Sequence, residues 1–151
     1  MTRSTKLSRM ASYAWASPCS LVGLILALPA MLVGARARRI HGVLEVAVPV
    51  PRARLPGLLH VLPFSAITFG HVVIGCCTAE LDRLRDHEHQ HVRQYELWGP
   101  FFFVAYPLSS LVQWARGNHP YLHNRFEVQA RAKCVAPDAA RVTQARSSLP
   151  R

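Results

Sequence analysis

AELDRLRDHEHQHVRQYELWGP, residues 79–100, decides the fold. At about 100° per residue, Leu81, Leu84, Glu88, His91, Val92 and Tyr95 share one face and Asp82, Asp86, Gln90 and Arg93 take the other, the period of an amphipathic helix. A helix is expected over Ala79–Trp98, ended by Gly99-Pro100, because glycine accepts a left-handed stop and proline cannot extend the ladder. Inside it, His87-Glu88-x-x-His91 sets two imidazoles one turn apart, so that both can reach one Zn²⁺ at about 2.0–2.1 Å. Glu88 then faces the attacking water rather than the metal. With 8 His among 151 residues, chance would supply only about 0.014 such matches. The competing reading is a His-rich surface helix with ordinary i,i+4 pairs. Glu88 and His91 lie on the inward stripe, however, where an unpaired carboxylate would be costly and a metal or hydrogen-bonded site removes that cost. His89 falls on the polar face, as a bystander.

Upstream, HGVLEVAV (His41–Val48) alternates and is β-branched, and AITFGHVVIG (Ala66–Gly75) has the same character; each is expected to form one strand. Pro49, Pro51, Pro56 and Pro63 make the connection a loop. Downstream, Leu97–Ala115 is uncharged, with Trp98 and Trp114 near its ends like an interfacial belt and with Pro100 and Pro107 inside. A polar loop over Arg116–Asn124 then leads to a last helix near Arg125–Val135, stopped by Pro137, and the Ala/Ser/Arg tail is expected to be disordered.

Two histidines leave zinc short of a third protein ligand. A glycine three residues after His91 and a histidine three beyond it are missing, since Gln94 and Leu97 stand there, so that ligand pattern is excluded. Glu127, in NRFEVQARA, is the only glutamate after Glu96 and becomes the candidate by elimination. Asn124 three residues before it also makes a variant capping box, and His119 and His123, four apart in NHPYLHN, offer another way to complete the site or to stabilise an oxyanion.

With HEHQH at residues 87–91 followed by Glu127-x-x-Ala130, the chain resembles the gluzincin metallopeptidases, and in particular their membrane-associated members. The resemblance covers about Ala66–Lys133. It implies an α+β fold in which a small β-sheet packs on the HExxH helix and a second, glutamate-bearing helix completes the site. It further implies His87, His91 and Glu127 as ligands, Glu88 as general base, and a peptide or protein as substrate. Where members of the closest group carry an acidic residue after that alanine, this chain has Arg131.

From Arg9 to Arg36 there is no charge, and Ser17–Val33 is apolar enough to cross or enter a bilayer. Residues 1–35 are expected to be a membrane anchor, a transmembrane helix, with a cleavable signal segment as competitor: Thr2–Met10 is basic and Ala35-Arg36-Ala37 resembles a small-residue cleavage site. A metal-binding domain follows over 36–136, and a basic tail over 137–151. Because one straight span across 97–115 would put His91 and Glu127 on opposite sides of a membrane, this segment is expected to break at Pro107 into a hairpin or interfacial element.

Composition agrees. Half the residues are apolar, mean hydropathy is +0.12, and Lys+Arg outnumber Asp+Glu 18 to 8. The basic excess is dispersed rather than gathered with aromatics on one module, which argues against nucleic acid and fits anionic lipid headgroups. Cys19, Cys76, Cys77 and Cys134 have neither zinc-ribbon nor disulfide spacing and read as small buried apolar residues. The sequence thus points to a membrane-associated zinc peptidase. The alternative is a non-catalytic membrane protein in which zinc only staples two helices.

Overall fold

The computed structural model describes residues 3–32, 34–49 and 65–134. The chain divides into two compact parts, Met1–Val104 and Ala105–Arg151. The expected loop through Pro51, Pro56 and Pro63 and the expected tail 137–151 lie outside the described residues.

The first part opens with helix α1 (Arg3–Leu32) and a four-stranded sheet: β1 (Arg36–Ile40), β2 (Val43–Val48), β3 (Ala66–Phe69) and β4 (Val72–Cys77), in the order β1-β2-β4-β3. The HExxH helix α2 (Thr78–Trp98) follows, and then a 3₁₀ turn at Gly99–Phe101. β1 and β2 form an antiparallel hairpin, β2 and β4 pair in parallel, and β3 runs antiparallel to β4 at the sheet edge.

Two strand expectations are corrected. His41 does not begin a strand but sits with Gly42 in the β1–β2 turn, both at positive φ (50° and 90°). The run Ala66–Gly75 is two strands, folded back at Gly70-His71. Gly70 has φ 58°, and a Cβ there would come within 2.4 Å of Ser20 Oγ, so only glycine lets the hairpin pass beneath α1. β1, RARRI, was missed because its outward arginines hide the alternation.

The alternation of β2 and β4 sends one set of side chains to each helix. On one face Val43, Ala47 and Val73 meet Leu81 and Val92 of α2. On the other, Val46, with Leu44, Val48 and Ile74 around it, meets Ala27 and Ala30 of α1. The first part is therefore a helix–sheet–helix sandwich. α1 approaches closely because its inward residues are small: a Cβ on Gly23 would lie 2.7 Å from Val72 Cβ. Polar bonds fix its position, with Tyr13 Oη donating to Gly42 O (3.0 Å), the His71 amide donating to Ser20 Oγ (2.9 Å), and the Tyr13 ring stacked on His71 at 3.9 Å. The apolar stretch Ser8–Leu32 is long and apolar enough to cross a membrane. Cys19, Cys76 and Cys77 are buried, in line with the apolar reading, whereas Cys134 is half-buried.

α2 matches its expected span to within a residue. It ends at Gly99 (φ 53°), whose amide donates to Tyr95 O and whose missing Cβ makes room for the Trp15 indole. Its inner face is wider than the period suggests, for Gln90 is buried with Glu88 and His91. The expected break at Pro107 is absent. Helix α3 (Phe102–Ala115) is continuous through that proline, and the chain turns instead at Gly99–Phe101. Pro107 is exposed, where the carbonyl it leaves unpaired is least costly. At 1.5 Å per residue α3 is about 21 Å long, short of a bilayer's roughly 30 Å. In the second part, residues 125–134 form helix α4.

A buried carboxylate ties the sandwich together. Glu45, 1% exposed on β2, accepts from Arg38 Nε of β1 (2.9 Å) and from Arg85 Nε of α2 (2.9 Å). Both arginines also reach Asp82. Burial alone would raise the Glu45 carboxyl, but the bonds and charges of Arg85 and Arg38 outweigh it and hold it below the usual carboxylate range. A carboxyl lowered on folding adds stability above its unfolded value, and that stability is lost as pH falls through the folded one, so this contribution is full at neutral pH and is lost progressively once pH falls below about 4. Arg85→Met should destabilise by about 2–4 kcal/mol at pH 7, and much less at pH 3, because it leaves a buried charge half-compensated. Urea unfolding at the two pH values measures this, and equal losses would refute it.

Candidate metal centre

α2 places His87 half-buried and His91 buried on the same side, one turn apart. Their rings meet edge to face with centroids 4.7 Å apart, and the two Nε2 atoms are 3.1 Å from each other. Two imidazoles bound at about 2.0–2.1 Å to one tetrahedral ion would hold their nitrogens about 3.3 Å apart. His91 Nδ1 lies 2.8 Å from Gln94 Oε1, itself buried on the next turn. With that carbonyl oxygen accepting, Nδ1 carries the proton and the Nε2 lone pair is aimed at His87. Nitrogens converging this way need an electrophile between them, either a shared proton or a metal ion, so the donor set fits zinc. Phe102, packed on Tyr95 at 4.5 Å and 6.5 Å from the His91 ring, supplies an apolar wall.

Glu88 is 5% exposed and points to the sheet, where the Thr68 hydroxyl of β3 donates to its Oε2 at 2.7 Å. Thr68 is buried and lies opposite Val73 on the face covered by α2. The sheet thus orients this carboxylate through an edge-strand residue.

His89 is no bystander on a polar face. It is half-buried, with Nε2 3.4 Å from Glu45 Oε1 and its ring 6.1 Å from that of His41. Burial lowers its affinity for a proton, against the pull of Glu45.

In the second part Glu127 is 2% exposed on α4. Tyr106 Oη donates to its Oε1 at 2.7 Å, and Arg131 Nη1 stands 3.7 Å from its Oε2. The N-cap is Asn124, whose Oδ1 accepts the Phe126 amide at 2.9 Å. The Asn124 amide donates to Tyr121 O at 3.2 Å. Arg131 also donates to Leu122 O, so it braces the loop as well as facing Glu127. His119 and His123 are exposed, and His119 Nδ1 accepts the amides of Tyr121 and Leu122, a turn-forming role.

Gln94, Thr68 and Glu45 were missed from sequence. Glu45 carried a signal, as a lone carboxylate on the inward side of an apolar strand. Gln94 and Thr68 carried none, because their partners are set by a rotamer and by a hairpin turn. No protein-family model, curated protein or solved structure matches the chain.

Proposed function

We propose that the protein is a membrane-associated, zinc-dependent hydrolase of peptide bonds. The observation that carries this reading is the convergence of His87 and His91 Nε2 at 3.1 Å beside a buried, Thr68-bonded Glu88. His87 and His91 would hold the ion, with Glu127 as third ligand on the strength of the gluzincin-like Glu127-x-x-Ala130 spacing. Its burial and its bond from Tyr106 suit a carboxylate kept in one orientation. Zinc, when bound, supplies the Lewis acidity that polarises the scissile carbonyl and acidifies water.

The chain's own residues do the rest. Glu88, with Oε2 held by Thr68, takes the water proton on Oε1 as the oxygen attacks the carbonyl carbon. It then returns that proton to the leaving amine nitrogen as the C–N bond breaks. β3 lies at the sheet edge with one side unpaired among the described residues, and an extended peptide can add there as a further strand close to Thr68 and Glu88. Localisation at a membrane is supported by α1 and by the 18-to-8 basic excess.

The test is metal content. After mild chelation and reloading, elemental analysis should find close to one zinc per chain, with none in His87→Ala. Gln94→Leu frees the His91 ring to change tautomer, so zinc affinity should fall about 10–100-fold with the fold unchanged. A metal-free parent chain, or a Gln94→Leu variant with parental affinity, would count against the site as drawn.

A further inference from the structure

At 100° per residue, Ala16, Cys19, Ser20, Gly23, Ala27 and Ala30 of α1 fall within an arc of about 100°, the arc laid on the sheet. The opposite arc carries Leu21, Leu24, Ile25, Leu28 and Leu32, which are 58%, 44%, 56%, 59% and 88% exposed. Contacts with the sheet and its turns run from Tyr13 to Ala30, so one face of most of the apolar stretch is committed to the sandwich.

That geometry is incompatible with a crossing helix. Were α1 to stand across a bilayer, the sheet and α2 would be carried to the same depth. The exposed Asp86 and Arg93 of α2, the exposed ion pairs of Asp82 and Arg83 beside them, and the edge of β3, unpaired among the described residues, would then sit in hydrocarbon at a large cost. With α1 in the plane of the membrane, its bulky arc enters lipid, the sheet lies above it, and the charged face of α2 stays in water.

Charge at the margin selects the lipid. Arg9 and Arg36 are exposed and flank the uncharged run between them. Arg39, whose guanidinium has no ion-pair partner among the described residues, lines a cleft of about 340 Å³ along the flank of α1, together with Tyr13, Ser17, Leu24 and Leu44. A cation over an apolar cleft suits a phosphate headgroup whose acyl chain lies along Leu24 and Leu44. Trp15 and Trp98, 44% and 42% exposed, fall where interfacial rings are found.

We propose that α1 is an in-plane, non-spanning element whose outer face docks on an anionic phospholipid bilayer, with Arg39 at the headgroups. This rests on the membrane part of the proposed function and replaces the spanning helix expected from hydropathy. In the full chain carrying Cys134→Ser, Ser8→Cys and Ala37→Cys are introduced singly, and an impermeant maleimide is applied to intact and to lysed bacterial spheroplasts expressing each variant. Both positions should label in the same state. Labelling of one in intact spheroplasts and of the other only after lysis would show a crossing helix and overturn the proposal, while membrane association stood. Purified protein should float with phosphatidylcholine vesicles containing phosphatidylglycerol, at least tenfold more weakly after Arg39→Glu or Ile25→Glu. Parental flotation of both variants would overturn the docking face. A parent chain that neither floats nor pellets with membranes would overturn this proposal and the membrane reading together.

Discussion

Removal of residues 1–35 is expected to leave a chain that does not fold, rather than one merely released from membranes. The segment covers one whole face of the sheet. Without it Val46, Leu44, Val48 and Ile74 lose their cover, together with Val72 beneath Gly23. The fully buried Val46 and Val72 are worth roughly 1.5–3 kcal/mol each and the half-buried Leu44, Val48 and Ile74 less, so the loss together is a large part of the 5–15 kcal/mol that holds an ordinary domain. The lost bonds of Tyr13 and Ser20 to the two hairpin turns add to it. Circular dichroism and urea unfolding of the truncated chain, in detergent to remove the solubility question, provide the measurement. A cooperative transition at the parental midpoint would show that α1 is dispensable, as a signal segment would be.

Hydropathy reported that α1 is apolar and could not report what it touches. The distinction lay in residue size, for the small set at positions 16, 19, 20, 23, 27 and 30 repeats at helical spacing inside the apolar run. Such a stripe marks a close-packed face in any apolar helix. Conversely, α2 was legible almost to the residue because its stop, Gly99-Pro100, and its period are both local properties. The hairpin at Gly70-His71 was not, since Ala66–Gly75 is apolar on both sides of the turn and its reversal is dictated by the passage of α1 over Gly70. Within the site, the two histidines were fixed by helical geometry alone, whereas Thr68 and Gln94 depended on tertiary placement.

The second large effect separates Glu88 from Glu127. Glu88→Gln keeps the size of the side chain and can still accept the Thr68 hydroxyl bond, but it removes the basicity. Zinc should therefore remain near one per chain while hydrolysis of a peptide substrate falls by about 10²–10⁴-fold, the contribution of a positioned general base. Glu127→Gln also keeps its size and can still accept from Tyr106 through its amide oxygen. If Glu127 is the third ligand, the variant loses a charged donor, and zinc affinity and activity fall together. If Glu127 instead only balances Arg131 within α4, the variant breaks one i,i+4 pair worth a few tenths of a kcal/mol and leaves the metal in place. Competition with a chromophoric chelator resolves the two. Parental zinc affinity in Glu127→Gln would remove it from the ligand set and leave a two-histidine site whose third donor lies elsewhere in the chain. In Glu88→Gln, loss of zinc in step with activity would make that carboxylate a ligand rather than a base, and the division of labour drawn from the HExxH spacing would fail.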